Sequence, residues 1–146
     1  DWAEANADIL ACGSKADTFS FDAYVRRSRD GLGTFDLTAF SSEYQFCAYN
    51  EGQGVDELVS VIDDFEDWLV SDENSLDSPY TYVVLAPDYE TEEFDLAWGN
   101  FHQSKEMREA GLANFLDTAP EIQEAFDKVL SCQEPNGFNS GQIPLI

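Results

Sequence analysis

Between residues 55 and 70 the apolar positions repeat at the spacing of a helix. In VDELVSVIDDFEDWLV, Val55, Leu58, Val59, Ile62, Phe65 and Leu69 recur at three- and four-residue steps and make one apolar face. Asp56 and Glu57 fall in the first turn, where the helix dipole favours negative charge. Asp63, Asp64, Glu66 and Asp67 are assigned mostly to the wet side. Just before this helix, EYQFCAYN has the two-residue alternation of a strand, with Tyr44, Phe46 and Ala48 on one face and Gln45, Cys47 and Tyr49 on the other. Gly52 and Gly54 end it. Further on, YTYVVLA, closed by Pro87, and FDLAWGNF are two more strands, and the connector DYETEE is short enough for an antiparallel hairpin. Ser104 is placed to cap a helix beginning at Lys105. Thr118 and Glu121 fit a capping box at a second helical start, with Pro120 tolerated in the first turn. Ile122, Ala125, Phe126, Val129 and Leu130 form its buried stripe, and GQIPLI reads as a last edge strand in which Pro144 costs no ladder bond. At the other end, DWAEANADILAC reads as a short helix and TFSFDAYV as a strand.

From Tyr44 onward the order is strand, helix, strand, strand, helix, strand, the ferredoxin-like βαββαβ plan. We therefore expect an α+β fold: an antiparallel sheet with two helices, residues 55–70 and 105–130, on one face. Residues 1–40 are expected to form an N-terminal helix/strand extension packed on a ferredoxin-like domain of residues 41–146. The other sheet face needs a cover, from the sheet of a second copy or from the N-terminal segment.

Charge changes what this fold can meet. Thirty Asp and Glu face seven Lys and Arg, a net charge of -23 in 146 residues. Nucleic acid is excluded as a partner, because phosphate binding needs basic patches. An anionic membrane surface is disfavoured for the same reason, and no apolar run approaches the roughly 18 residues of a spanning helix. With 43% hydrophobic residues and 14% aromatics the chain still builds a core, unlike a disordered acidic tail. The charge serves solubility, in surroundings salty enough to screen it, or draws a cation or a basic partner. The remaining partner expectation is another protein or self-association as a homodimer. The first residue is Asp1, as after removal of a signal peptide or at an engineered end.

The stretches CAYNEGQGVDELVSVIDDFEDWL, YVVLAPDY and FDLAWGNFHQSKEMREAG, followed by a helix ending VLSC, resemble a group of uncharacterised exported bacterial proteins. These in turn look like the dimeric α+β barrel, or antibiotic-biosynthesis-monooxygenase-like, superfamily. The resemblance spans residues 44–132. It implies a ferredoxin-like fold and often a dimer, but no fixed activity, since that fold hosts cofactor-free oxygenases, haem-degrading enzymes and chlorite-dismutase-like proteins.

Candidate chemistry is sparse. Trp98, Asn100 and His102 alternate and so share one strand face. Haem-degrading members of the superfamily use Asn, Trp and His, with the His on the second helix and the Asn on the first strand. Here His102 precedes that helix and Asn50 follows the first strand, so those roles do not transfer position by position. Asp88, Glu90 and Glu92 in the acidic connector are the candidate metal ligands, needing convergence on one point to hold a hard cation. No GxSxG, P-loop or HExxH motif is present. No catalytic set, cofactor or metal is expected. The three cysteines match no zinc spacing. In the ferredoxin-like plan Cys47 and Cys132 approach each other, which makes them the favoured disulfide; a pair involving Cys12, or no bridge, remains open. The expected function is a non-catalytic, exported binding or assembly domain, periplasmic or secreted. The alternatives are a small cofactor-free oxygenase or haem-handling enzyme, and an accessory subunit of a larger complex.

Overall fold

The longest strand organises the molecule. In this computed structural model, which describes residues 20–24, 35–76 and 79–141, β2 (Phe40–Tyr49) pairs antiparallel along both edges. On one edge lies β4 (Leu96–His102). On the other lie β5 (Leu130–Cys132) and β6 (Asn136–Ser140), one after the other. Beyond β4 come β3 (Tyr80–Pro87) and then β1 (Phe21–Tyr24), so the six-stranded order is β1-β3-β4-β2-β5 with β6 also on β2. All pairings are antiparallel, as the hairpin argument required. The last edge strand is Asn136–Ser140; the expected strand GQIPLI, apart from Gly141, and the N-terminal helix DWAEANADILAC lie outside the described residues.

Register decides which side chains share a face. Cys47, Gln45 and Glu43 stand beside Leu96, Trp98 and Asn100, and these last two beside Val84 and Tyr82. That face carries three helices: α1 (Val55–Leu69), α2 (Lys105–Thr118) and α3 (Pro120–Val129). Phe65 of α1 ties them together. Its ring meets Tyr82 at 5.8 Å and Trp98 at 6.4 Å on the sheet, Phe115 of α2 at 5.4 Å and Phe126 of α3 at 5.8 Å. Edge-to-face contacts of this kind add to the burial of large rings.

Helix α1 starts after Gly52, whose φ of 77° suits a residue without a Cβ. Its last carbonyls are taken up by Ser71 Oγ, which donates to Trp68 O at 2.8 Å, and Asn74 Nδ2, which donates to Leu69 O at 3.0 Å. The buried face is rotated from the expected one. Val61 and Trp68 are buried, whereas Val55 is 63% exposed. Glu66, expected on the wet side, is 3% exposed and accepts from Tyr82 Oη at 2.6 Å. A buried polar group of this kind needs such a partner.

The expected helix 105–130 is two helices. The residue before a proline is disfavoured in helical geometry, and Ala119 takes φ −140°, ψ 48°. The expected Thr118–Glu121 capping box is absent: Ala119 occupies the cap position without a side-chain bond. Thr118 Oγ1 instead accepts from Trp68 Nε1 at 3.0 Å and donates to Asn114 O at 2.8 Å. Ser104 does cap α2, accepting from Met107 N at 3.2 Å.

A disulfide joins Cys47 to Cys132, which face each other across β2 and β5 with Cα atoms 4.0 Å apart. Gln133 N donates to Phe46 O and Asn50 N to Val129 O, so Cys47–Cys132 is a pair without mutual ladder bonds, where opposed side chains come closest. The opposite sheet face is aromatic, with Tyr44–Phe101 at 5.8 Å and Phe46–Phe94 at 4.7 Å. Among the described residues no helix is long and apolar enough to cross a membrane.

Candidate functional site: a cavity between the sheet and its helices

Helix α2 buries none of its residues. KEMREAGLANFLDT lacks a continuous apolar stripe, and Leu112 and Leu116 stand 56% and 47% exposed. The helix therefore roofs the sheet without filling the space beneath it. What remains is a cavity of about 530 Å³, within the range of small-molecule sites. Its floor is the sheet: Glu43, Gln45 and Cys47 from β2, and Trp98, Asn100 and His102 from β4. Phe65 and Trp68 of α1, Phe115 of α2 and Phe126 of α3 form the aromatic walls. Cys132 places the disulfide in the wall as well.

The three alternating residues singled out from the sequence thus share one face and one cavity. Asn100 is fixed by two donors, Tyr80 Oη at 2.8 Å and Trp98 Nε1 at 2.9 Å, both to its Oδ1. This orients the amide and leaves its N–H2 edge for another acceptor. Trp98 itself lies parallel to Tyr82, with ring centroids 4.8 Å apart and planes 5° from each other.

His102 is 7% exposed, and its Nδ1 is buried without a hydrogen-bond partner. Burial, and then the nearby positive charge of Arg108, push its pKa down to about 4, so the imidazole is neutral at pH 7. Tyr80 covers one side with ring centroids 4.8 Å apart. On the other side stands Gly111 of α2, where a Cβ would come within 3.1 Å of Cε1 and 3.6 Å of Nδ1. Glycine in mid-helix costs roughly 1 kcal/mol relative to alanine; here it lets the α2 backbone pass close against the imidazole, where a Cβ would crowd the ring.

The charged lining is uneven. Arg108 is held by Glu43 at 3.3 Å, both side chains 19% exposed. Glu109, Asp127 and Glu134 stand exposed at the rim. Glu109 is bridged at 3.6 Å to Lys105, in a solvated pair worth little.

The acidic connector is a separate place. Asp88, Glu90 and Glu92 lie between β3 and β4, outside the cavity lining. Asp88 accepts from the Ser20 hydroxyl. Among the described residues no three His, Cys, Asp or Glu side chains converge as metal ligands do. Asn50 is occupied structurally: its Nδ2 donates to Asp127 O and Lys128 O at 3.0 Å, and its Oδ1 accepts from Ser131 Oγ at 2.6 Å. Sequence reasoning missed Glu43, Gln45, Arg108 and the aromatic walls as cavity residues. The available signals were Gly111 inside a helix and the missing apolar stripe around it. No protein-family model matches the chain, nor does any curated protein or solved structure.

Proposed function

We propose that this is a binding domain whose small-molecule ligand sits between the sheet and helix α2. The observation that carries the reading is the aromatic-walled cavity of about 530 Å³ floored by Trp98, Asn100 and His102, with the Asn100 amide fixed by two donors. Binding accounts for it better than catalysis: His102 is neutral, no carboxylate bonds its Nδ1, and Cys47 is tied in a disulfide. The ferredoxin-like reading of the plan is supported by the order β3-β4-β2-β5 of its four central strands. An extra edge strand, β1, and the split second helix depart from that plan. An exported location is compatible with the disulfide.

The haem-handling alternative is disfavoured by the same wall. Haem propionates would meet Glu43, Glu109, Asp127 and Glu134, and Arg108, the one cation in the lining among the described residues, is paired with Glu43. Gly111 stands too close to His102 Nδ1 to admit a macrocycle there.

Titration with the uncharged fluorescent probe N-phenyl-1-naphthylamine tests the reading. We expect saturable, one-to-one binding. Gln45→Phe, which puts a ring into the cavity from the floor, should weaken it at least tenfold, and Tyr44→Ser on the opposite sheet face should not. Absence of saturable binding by a folded protein, or loss with Tyr44→Ser alone, would refute the assignment.

A further inference from the structure

We infer that the ligand is an organic cation, its apolar body seated among the cavity's aromatic walls and its ammonium group held by carboxylates at the mouth. This rests on the cavity being a ligand site, and it adds the charge of the ligand. Of the described charged side chains lining the cavity, four are acidic (Glu43, Glu109, Asp127 and Glu134) and one, Arg108, is basic. Arg108 and Glu43 neutralise each other at 3.3 Å. No described cation pairs with Asp127 or Glu134, whose charges face the mouth from the end of α3 and from the β5–β6 connector. Asp127 Oδ1 accepts only the neutral amide of Gln123, at 2.8 Å.

An acidic rim alone would be a solvated surface. The buried wall makes it a site. Behind it Phe65, Trp68, Trp98, Phe115 and Phe126 line a space of about 530 Å³ that an apolar body fills. Anions are the poorest candidates. They would cross the field of a chain of net charge -23 and lose their hydration beside three rim carboxylates. A cation is steered inward by that field, keeps its charged head at the wet rim and buries only its body. Ring faces in the wall add an attraction for it.

The test uses one body with three heads. 2-(1-Naphthyl)ethylamine, 2-(1-naphthyl)ethanol and 1-naphthylacetate are titrated into the oxidised protein by calorimetry at pH 7 and low salt. We expect the amine to bind at least tenfold more tightly than the alcohol, and the carboxylate to bind more weakly than the alcohol. In 0.5 M NaCl the amine's advantage should shrink, because rim charges are screened. The double variant Asp127→Asn, Glu134→Gln should narrow the amine-to-alcohol ratio to within about threefold. Equal binding of amine and alcohol, or a preference for the carboxylate, would overturn the charge assignment while leaving the cavity reading intact. A ratio unchanged in the double variant would remove these two carboxylates from the site, and the proposal with them. If none of the three binds and the neutral probe also fails, the cavity reading itself is lost.

Discussion

Protonation of His102 offers the sharpest test of the site as built. The side chain is 7% exposed, and burial, followed by the charge of Arg108, lowers its pKa from the usual 6.5 to about 4. An unfolded chain takes up this proton near pH 6.5, whereas the folded chain resists it until about pH 4. Between these values the unfolded state binds more protons, so folding stability falls as the pH drops. The contribution is complete above about 6.5, is lost through the interval and levels off below about 4. The gap, at about 1.4 kcal/mol per pH unit, amounts to roughly 3 kcal/mol. The chain also carries thirty Asp and Glu, so the contribution of His102 must be isolated. The chain has one histidine, so an untagged sample gives one imidazole Cε1–H resonance. Its NMR titration should have a midpoint near 4 in the folded protein and near 6.5 in urea. The stability difference between the wild-type protein and His102→Gln, measured by urea unfolding, should fall by about 3 kcal/mol between pH 7 and pH 4. Arg108→Gln should raise the midpoint by less than half of the displacement, because burial is the larger cause. A folded-state midpoint within half a unit of the urea value would refute the buried, neutral imidazole.

The disulfide predicts one alkylatable thiol, Cys12, in unreduced, denatured protein; three thiols would contradict it. Removing the bridge as Cys47→Ala, Cys132→Ala should cost about 4 kcal/mol in urea unfolding, since it closes a loop spanning 85 residues. Gly99→Ala would place a Cβ 2.9 Å from Tyr44 Cε1 and 3.0 Å from Val83 Cγ1. It should therefore destabilise by about 1–3 kcal/mol, and a neutral result would mean that Tyr44 swings aside. Tyr82→Phe removes a hydroxyl that donates at 2.6 Å to the buried Glu66. A loss of about 1–2 kcal/mol is expected, and an unchanged unfolding midpoint would argue against that bond.

What the sequence made legible follows from which signals are local. Strand β2 was readable from its own two-residue alternation, β3 and β4 as short apolar runs bounded by Pro87 and the acidic connector, and DYETEE is short enough for the hairpin that joins them. The Cys47–Cys132 bridge was readable as the favoured pair because strand order brings the exit of the first strand to the end of the last helix. Glu66 was not readable. It takes part in no apolar repeat, and its burial depends on Tyr82 reaching it from a strand 16 residues away. The helix break was readable as a second helical start at Thr118, with Pro120 in its first turn; the cap was not, because the structure commits the Thr118 hydroxyl to Trp68.

The cavity was the least legible feature, and its cause is a missing signal. An amphipathic helix announces what it covers; α2 announces nothing, since its apolar residues are divided between Leu112 and Phe115, which line the cavity, and Leu116 toward solvent, with Leu112 itself 56% exposed. A helix so composed gains little from tertiary burial, which is where most helices find their stability. It is held at its ends and along one side instead. Ser104 caps the start, Arg108 pairs with Glu43, Asn114 Nδ2 donates to Asn74 Oδ1 at 3.1 Å, and Phe115 packs on Trp68 at 5.1 Å. These anchors fix α2 above the sheet while the strip facing His102 is left to Gly111. Filling that strip should therefore trade function for stability. Gly111→Ala gains up to about 1 kcal/mol of helix propensity. Against that stands a Cβ within 3.1 Å of the His102 ring, so the net change in stability is expected to stay small. Binding of the neutral probe should weaken several-fold, because the His102 ring or α2 must shift to admit the Cβ, and both line the cavity. Full binding by a variant of unchanged stability would show that the close approach of Gly111 to His102 has no part in the site.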